Sequence, residues 1–244
     1  MKTHQKCVII NSLIQKEVQM KLFTASSAKL DKSQTEQWLN AVLYLEPSVD
    51  YKSICQASSA GCRASCLTNS GMMRMQAQTN ARVQRTKMYL AERDNFMVQL
   101  EKEITAYLLK ATKAGKKLAL RLNGTSDLDW FEVYAKFPQV QFYEYTKRPD
   151  IVLRAKKTSN LHVTFSRNEK TKDSTMQRII ESGANVAVVF DDKKHMPLTY
   201  MGMNVINGDA HDRRFEDGTT QIVGLKLKGT NATKALARQV GFAI

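Results

Sequence analysis

The stretch KLALRLNGTSDLDWFEVYAKFPQVQFYEYTK, residues 117–147, decides the fold class. It contains two short apolar runs, KLALRLNG (117–124) and VQFYEYTK (140–147), and both run into polar residues. Between them, DLDWFEVYAKF (127–137) is predicted to be helical. A strand, a helix and a strand in this order predict a βαβ unit, in which the two strands are parallel and the crossover is right-handed.

The same alternation continues to the end of the chain. Four further runs are apolar or rich in strand formers, and these predicted strands are LHVTFSRN (161–168), NVAVVFDD (185–192), GMNVINGD (202–209) and QIVGLKLKG (221–229). The predicted helices that accompany them are DIVLRAKK (150–157), STMQRIIESG (174–183) and NATKALARQVGF (231–242). Alternating strands and helices predict an α/β fold with a mainly parallel sheet and helical crossovers. We expect a partial or distorted βα barrel.

The part of the chain before this alternation has a different character. Residues 20–52 are an irregular, mixed segment in which Ser33 is predicted to cap a short amphipathic helix. Residues 72–115 contain many helix formers and no proline, which predicts two helices, and Gly115 supplies a helix stop. Apolar residues recur at helical spacing in the second of these helices, at Phe96, Leu100, Ile104 and Leu108.

The length of 244 residues suits one α/β domain or two small ones, and we expect one. A second start-like sequence, MKLF, begins at Met20, so residues 1–19 are predicted to be an extension and residues 20–244 the domain. The amino terminus has no continuous apolar region, and the longest apolar runs, such as NVAVVF (185–190), are strand-sized. We therefore expect a cytosolic protein without a membrane span.

The net charge of +14 restricts the partners of the protein. The chain has 37 Lys and Arg residues against 23 Asp and Glu residues, an excess that favours a polyanion, a nucleotide or an anionic small molecule. A solvated basic surface that meets nucleic acid only nonspecifically explains the same charge. The sequence therefore predicts an anionic small molecule or a nucleic acid as partner.

Three cysteines lie close together in SICQASSAGCRASCLTNSG, residues 53–71. Cys55, Cys62 and Cys66 have the spacing C-x6-C-x3-C, and small residues dominate the connecting chain. In a reducing compartment, cysteines at short spacing bind metal or perform redox chemistry more often than they form disulfides. Residues 53–71 are therefore predicted to be a metal-binding loop, with buried thiols and a disulfide as the alternatives.

Two kinds of metal centre fit thiolate ligands at this spacing. A structural zinc site needs four ligands, and the chain has no second cysteine pair or histidine pair near residues 53–71. A four-iron, four-sulfur cluster held by three thiolates leaves one iron open for a substrate or a cofactor. We expect the iron–sulfur cluster, with zinc completed by His or Asp as the alternative. Arg82 and Arg85 share one face of a predicted helix, and this face is expected either to point toward the cluster or its ligand or to be a solvated helix face.

Polar side chains follow the predicted strands at the points where the strands end. The carboxyl ends of parallel strands meet at one edge of a sheet, where ligands bind in α/β folds. Loops are polar in any protein, and Ser126 or Asp127 also suits a helix cap. For the set as a whole we expect a site. The strand-end residues are Asn123, Ser126, Asp127, Tyr145, Thr146, Lys147, Ser166, Arg167, Glu169, Asp191, Asn207 and Asp209.

Several motifs in order resemble the bacteriophage gene-product-eighty-eight family. They are C…SAGC…C…SG, AR..RT, RLNGTSDLDW, FYEYTK, TFSRNE, GANVAVVF, VINGD..D.RF.D and IVGLKLKG, within residues 53–229. The resemblance implies a phage or prophage origin and work in the host bacterial cytoplasm, and it brings no established reaction. It marks Cys55, Cys62, Cys66, Arg82, Arg85, Arg121, Asn123, Ser126, Asp127, Tyr145, Lys147, Ser166, Glu169, Asp209, Asp212 and Arg213.

A more distant likeness is to radical S-adenosylmethionine enzymes. Those enzymes also place three cysteines in a loop near the start of a partial βα barrel, and the open iron binds S-adenosylmethionine. The spacing C-x6-C-x3-C differs from their C-x3-C-x2-C, and no Gly-Gly-Glu segment follows the next strand. S-adenosylmethionine is nevertheless a second cofactor that this likeness implies. NGTSD (123–127) would then replace the missing Gly-Gly-Glu segment.

The leading hypothesis is an iron–sulfur enzyme that acts on an anionic substrate such as a nucleotide or a nucleic acid. Its predicted metal ligands are Cys55, Cys62 and Cys66. Its predicted catalytic residues are Asn123, Asp127, Tyr145, Lys147, Ser166, Glu169 and Asp209. Its predicted cofactor-binding residues are Arg82, Arg85, Arg121, Ser126 and Arg167. The alternatives are a DNA- or RNA-binding protein with a structural metal, and a nuclease with magnesium or manganese on Asp127, Glu169, Asp209 and Asp212.

Overall fold

The computed structural model describes residues 20–25, 31, 33–191 and 193–244. The predicted extension, residues 1–19, lies outside the described residues. Nine strands form one sheet in the order β1-β2-β5-β6-β7-β8-β11-β10-β9, and β3 and β4 form a separate hairpin. The strands are β1 (Phe23–Thr24), β2 (Trp38–Leu43), β3 (Ser48–Val49), β4 (Lys52–Ser53), β5 (Lys117–Arg121), β6 (Gln141–Thr146), β7 (Leu161–Ser166), β8 (Val186–Phe190), β9 (Thr199–Tyr200), β10 (Met203–Asn207) and β11 (Ile222–Lys226).

Helices fill most of the connections. In the described part of the chain, the α-helices are α1 (Ala60–Ala64), α2 (Gln76–Ala91), α3 (Arg93–Lys113), α4 (Phe131–Lys136), α5 (Pro149–Ala155), α6 (Asp173–Glu181) and α7 (Asn231–Gln239). Short 3-10 turns cover Leu67–Asn69, Gly71–Arg74 and Arg214–Glu216. None of the helices described is both long and apolar enough to cross a lipid bilayer.

The sheet is mainly parallel, as predicted. Strands β2, β5, β6, β7 and β8 lie side by side in chain order, and β11 and β10 continue the parallel set. Within the described residues of this nine-stranded sheet, only the edge strands β1 and β9 run antiparallel to their neighbours, and the separate hairpin of β3 and β4 is antiparallel as well. Because parallel neighbours point the same way, their carboxyl ends share one edge of the sheet. The partial barrel stays a prediction, since no described residues pair β1 with β9.

The two faces of the sheet differ in chemistry. Leu120, Phe142 and Val163 belong to the apolar core that the helices complete. The residues beside them point to the opposite face, where Arg121 and Tyr143 are buried. Phe215, in the last 3-10 turn, covers this second face, with its ring centroid 5.6 Å from that of Tyr143. The second face therefore carries polar side chains, and one of them, Arg121, lies at the carboxyl end of β5.

The segment after Ser33 differs from its prediction. We expected Ser33 to cap a helix, but the segment that follows contains β2, which pairs in parallel with β5. Its residues Asn40, Ala41, Val42 and Leu43 are fully buried, so pairing between two strands overrides the local helix signal. The Ser33 hydroxyl instead accepts a hydrogen bond from the backbone N–H of Asp212, at 2.9 Å.

The predicted pair of helices before the sheet is confirmed as α2 and α3. Phe96, Leu100 and Ile104 in α3 are fully buried, and Leu108 packs against the same core. Gly115 follows the end of α3 with a φ of 66°, a left-handed conformation that favours glycine. The spacing of apolar residues therefore predicted both the helix and its buried face.

A buried carboxylate ties β6 to the end of β5. Glu144 accepts hydrogen bonds from the backbone N–H groups of Leu122 and Asn123, at 2.7 and 2.9 Å, and from the hydroxyl of Tyr134. Burial raises the pKa of Glu144 to about 7, although Arg121 and these hydrogen bonds act in the opposite direction. The carboxyl ends of two central strands are thus fixed relative to each other by one side chain.

Replacing Glu144 by Gln should change how stability depends on pH. The folded carboxyl keeps its proton up to about pH 7, whereas the ordinary pKa is 4.5. Binding of this proton in the folded state raises the free energy of unfolding. The full gain is present below pH 4.5, and it is lost as the pH rises to about 7. Relative to Glu144→Gln, wild type should lose about 3 kcal/mol across this window.

Urea unfolding across that pH window measures the difference. Glu181→Gln, an exposed substitution in α6, is the matched control and should leave the slope unchanged. A Glu144→Gln variant with the wild-type pH dependence would contradict the assignment of the proton to Glu144.

Candidate functional site

A cavity of about 200 Å³ opens at the carboxyl edge of the sheet. We call it the strand-end cavity. Its lining from the cysteine segment is Cys55, Ser58, Cys62, Ser65, Cys66 and Leu67. Its lining from the strand ends and the carboxyl terminus is Arg121, Asn123, Gly124, Thr125, Ser126, Asp127, Tyr145, Thr146, Lys147, Ser166, Val189, Asp209, Leu225, Lys226, Lys228 and Phe242. The three cysteines and most of the predicted strand-end residues therefore face one space.

The turn after β5, residues 123–127, forms the middle of the cavity wall. The Asn123 side-chain oxygen accepts hydrogen bonds from the Ser126 hydroxyl, the Leu128 N–H and the Trp130 indole, at 2.8, 2.9 and 3.1 Å. Its amide nitrogen donates to the Leu128 carbonyl, at 3.0 Å. Asn123, predicted to be catalytic, is thus engaged within its own turn and holds the turn in shape.

Gly124 allows this turn to lie close to β2. A Cβ atom on Gly124 would stand 2.6 Å from the Leu43 carbonyl oxygen, closer than any side chain permits. The Gly124 N–H donates to that same oxygen, at 3.0 Å. The sequence NG at the end of β5 is therefore required for the backbone approach, whatever chemistry its neighbours perform.

The cysteine segment rests directly on the same turn. The Asp127 N–H donates to the Ile54 carbonyl at 3.1 Å, and the Cys55 thiol donates to the Thr125 carbonyl at 3.5 Å. The Thr125 hydroxyl donates to the Leu45 carbonyl at 2.5 Å. The hydrogen bond of its thiol and the backbone contact of the neighbouring Ile54 thus fix the position of Cys55.

Helix α1, which carries Cys62, is held by Glu169. The Ser59 hydroxyl accepts from the Cys62 N–H at 3.2 Å and donates to the Glu169 carboxylate at 2.5 Å. The Gly61 N–H donates to the other carboxylate oxygen, at 2.8 Å. Partial burial raises the pKa of Glu169, but the hydrogen bonds from Ser59 and Gly61 outweigh it and hold the pKa below its usual value. Glu169, predicted to be catalytic, anchors the cysteine segment outside the cavity lining.

The carboxyl terminus packs against the other side of α1. A Cβ atom on Gly61 would lie 2.3 Å from the Cβ of Phe242, so only glycine fits at this contact. Arg167, predicted to bind a cofactor, donates to the carbonyls of Gly241 and Phe242 at 3.0 and 3.1 Å. Arg167 thus fixes the chain terminus that supports α1.

The three thiols are free and share one environment. None of Cys55, Cys62 and Cys66 forms a disulfide. Burial raises the pKa of Cys55 to about 12, and Asp127 and the two other cysteines add to the rise, whereas Lys147 lowers it. Burial also raises the pKa of Cys66. In the described part of the chain, no three His, Cys, Asp or Glu side chains are placed to hold a single metal ion.

The carboxylates at the rim are both engaged. Asp127 accepts from the Thr146 hydroxyl at 2.6 Å and from the Lys147 N–H at 3.0 Å. Asp209 accepts from the Lys228 ammonium at 2.7 Å and from the Lys226 N–H at 2.9 Å. The two carboxylates therefore position the strand ends and the lysines around the cavity.

Arg121 and Lys147 bring positive charge into the cavity. The Arg121 guanidinium donates to the carbonyls of Asn123 and Gly124, at 3.1 and 3.3 Å, and lies 4.7 Å from the ring centroid of Tyr145. The Lys147 ammonium donates to the Ser166 hydroxyl at 2.9 Å. The predicted residues Arg121, Tyr145, Lys147 and Ser166 therefore form one contiguous part of the wall.

Two predicted cofactor-binding residues lie elsewhere. Arg82 is buried and forms an ion pair with Glu46 at 2.8 Å, and it also donates to the Met73 carbonyl at 2.7 Å. Arg85 donates to the Lys21 carbonyl at 2.8 Å. Neither residue lines the cavity. Both brace α2 against the segment around β2, and the shared helix face that suggested a ligand is explained by these internal partners.

Sequence reasoning missed Lys226, Lys228 and Phe242 in the cavity lining. Lys226 is the last residue of β11 and Lys228 follows it, and β11 ends at the same edge as β5, β6 and β7. Polar residues at the carboxyl ends of parallel strands were expected to form the site, and KLKG (226–229) meets this criterion as well. The position of Phe242 depends on how the carboxyl terminus folds back, and no local pattern indicates it.

A family model described as gene product 88 matches residues 20–242 of the chain. No curated protein matches the chain, and no solved structure does. The likeness to radical S-adenosylmethionine enzymes therefore stays a prediction. The matched range includes the whole lining of the strand-end cavity.

Substituting Gly61 by Ala should loosen the support of α1. The new methyl group would collide with Phe242 and Val240, so we expect a loss of about 1–3 kcal/mol in the free energy of unfolding. Gly218→Ala is the matched control, because a Cβ there meets only ordinary contacts with Gln221 at 3.6 Å or more. Thermal unfolding of both variants measures the difference, and equal stability of Gly61→Ala and wild type would contradict the close contact.

Proposed function

The chain belongs to the gene product 88 family, and we propose that it is an iron–sulfur enzyme that acts on an anionic substrate. Cys55, Cys62 and Cys66 would hold the cluster, and the strand-end cavity would receive the substrate. The observation that carries the proposal is the shared lining of that cavity, which joins all three thiols to the polar ends of the parallel strands.

The donor set fits a cluster better than a single ion. Three thiols border one cavity, and no three ligating side chains in the described residues are placed to hold one ion. Zinc requires ligands that converge on one point, whereas a four-iron cluster binds each thiolate through a different iron. Small residues, Ser58 and Ser65, line the cavity beside the three thiols.

The residues around the thiols have distinct tasks in this proposal. When bound, a cluster with one iron free of cysteine supplies a Lewis acid or an electron donor. Lys147 binds and orients the anionic group of the substrate, and Arg121 adds positive charge to the same cavity wall. Asp209, at the edge of the cavity beside Lys228, holds or moves a proton at its carboxylate. Glu169 and Asn123 act as positioning residues, because their hydrogen bonds fix α1 and the turn after β5.

The two alternative functions have weaker support. Of the four acidic residues of the nuclease hypothesis, Asp127 and Asp209 line the strand-end cavity, whereas Glu169 and Asp212 do not. Nucleic-acid binding draws on the net charge of +14, which is a property of the whole chain. Binding that falls steeply with salt and does not depend on the cysteines would favour it over the enzyme.

Anaerobic reconstitution with ferrous iron and sulfide tests the proposed function. We expect about four irons per chain, with the broad visible absorption of an iron–sulfur cluster. Alanine at Cys55, Cys62 or Cys66 should abolish this absorption, because each thiolate holds one iron. Cys7→Ala removes the fourth cysteine of the chain, is the matched control and should retain the iron.

Two results would contradict the iron–sulfur enzyme. One is a colourless protein that takes up no iron, and the other is a protein that takes up a single zinc ion through the same cysteines. Adding S-adenosylmethionine to the reduced protein tests the second expected cofactor, since binding to the open iron changes the paramagnetic-resonance spectrum of the cluster. An unchanged spectrum would remove S-adenosylmethionine from the proposal and leave the cluster in it.

A further inference from the structure

The strand-end cavity has more positive than negative side chains in its wall. Its cationic members are Arg121, Lys147, Lys226 and Lys228, and its carboxylates are Asp127 and Asp209. Each of the two carboxylates already accepts two hydrogen bonds from the protein. The cavity therefore attracts an anion more strongly than it attracts a cation or a neutral molecule.

Two of the lysines present their charge at fixed positions. The Lys147 ammonium is hydrogen-bonded to a neutral group, the Ser166 hydroxyl, at 2.9 Å. The Lys228 ammonium is held by Asp209 at 2.7 Å, and its side chain is 40% exposed. An ammonium group has three donors, so each lysine can keep its present bond and still donate to a ligand.

The turn after β5 adds backbone donors. Thr125 and Ser126 line the cavity and are 8% and 7% exposed, respectively. Among the described residues, no acceptor is found for the backbone N–H of either one, although the neighbouring Gly124 and Asp127 N–H groups both have one. Buried N–H groups normally have partners, and adjacent N–H groups in a turn can form an anion-binding concavity.

The hydrogen bonds that Arg121 already makes affect whether the cavity favours a carboxylate or a phosphate. Its Nε and Nη2 atoms donate to the carbonyls of Asn123 and Gly124, so this edge of the guanidinium is occupied. A planar carboxylate is recognised best by a free guanidinium edge. Besides the Nη1 atom of Arg121, the donors in the wall belong to three different strand ends: Lys147 after β6, Lys228 after β11 and the N–H groups of the turn after β5. A tetrahedral phosphate group, whose three terminal oxygens share up to two negative charges, can accept from donors at several strand ends.

The size of the cavity selects the type of molecule. A volume of about 200 Å³ is below the range of roughly 300–1,000 Å³ typical of sites that enclose a whole drug-sized ligand. The cavity therefore holds a compact group or one end of a longer molecule. We propose that its lysine-lined side is a binding site for the phosphate group of a small-molecule phosphate monoester. This inference rests on the proposed function, because it names the substrate class of the same cavity.

Calorimetric titration with inorganic phosphate tests the phosphate site. The full chain is titrated in a phosphate-free buffer, both before and after anaerobic iron reconstitution. Lys147→Met and Lys228→Met should each weaken phosphate binding about tenfold or more, because each removes a charged donor. Lys102→Met, on the exposed side of α3 and outside the cavity lining, is the matched control and should bind as wild type does.

Three results would overturn the phosphate site: no binding of phosphate, equal binding by all variants, or displacement of phosphate by acetate at comparable concentration. Binding of single-stranded DNA without binding of phosphate would also overturn it, in favour of a polynucleotide surface. Iron content is measured on the same samples. A Lys147→Met variant that loses phosphate and keeps iron separates the two proposals, and loss of iron by wild type with phosphate binding intact would refute only the cluster.

Discussion

The structure around the cavity depends on one rigid turn, residues 123–127 at the carboxyl end of β5. Three sets of hydrogen bonds fix it. The Asn123 side chain accepts hydrogen bonds from within and just after the turn, and the Glu144 carboxyl group accepts from the N–H groups of Leu122 and Asn123 at its start. Gly124 lies against the backbone of β2 and donates a hydrogen bond to it. The N–H groups of Thr125 and Ser126, for which no acceptor is found among the described residues, lie in a turn whose other backbone groups are held in place.

The cysteine segment takes its position from this turn. It precedes the parallel strands β5 to β8 in the chain, yet Ile54 and Cys55 contact residues about seventy positions later through backbone groups. Glu169 and the carboxyl terminus then hold α1 from two other directions. The thiols, the lysines and the strand ends are thus assembled from parts of the chain far apart in sequence, as is usual at the carboxyl edge of a parallel sheet.

Much of the fold could be predicted from local pattern. The alternation of apolar runs and helical segments predicted β5 to β8 and β11, and the apolar spacing in α3 predicted its buried face. The segment after Ser33 was predicted wrongly, because β2 is stabilised by its pairing with β5 and not by local propensity. Local signals fail where a long-range partner decides the conformation.

The predictions about the site show the same limit. Residue type and strand ends led to Cys55, Lys147 and Ser166, which do line one cavity. The sequence does not show whether a polar side chain faces the cavity or supports the cavity wall through hydrogen bonds to other parts of the protein. Arg82 and Glu169 belong to the second group, because their partners are Glu46 and α1. The hydrogen-bond partner of a polar side chain is a long-range property, and it decides whether that side chain is free to meet a ligand.

We propose that the three thiols hold an iron–sulfur cluster that faces the strand-end cavity. Anomalous X-ray diffraction at the iron edge, from crystals of the anaerobically reconstituted chain, tests it most directly. We predict a compact anomalous peak bordered by the sulfur atoms of Cys55, Cys62 and Cys66. Iron located away from these sulfurs, or a single closed zinc site on the cysteines, would contradict the account.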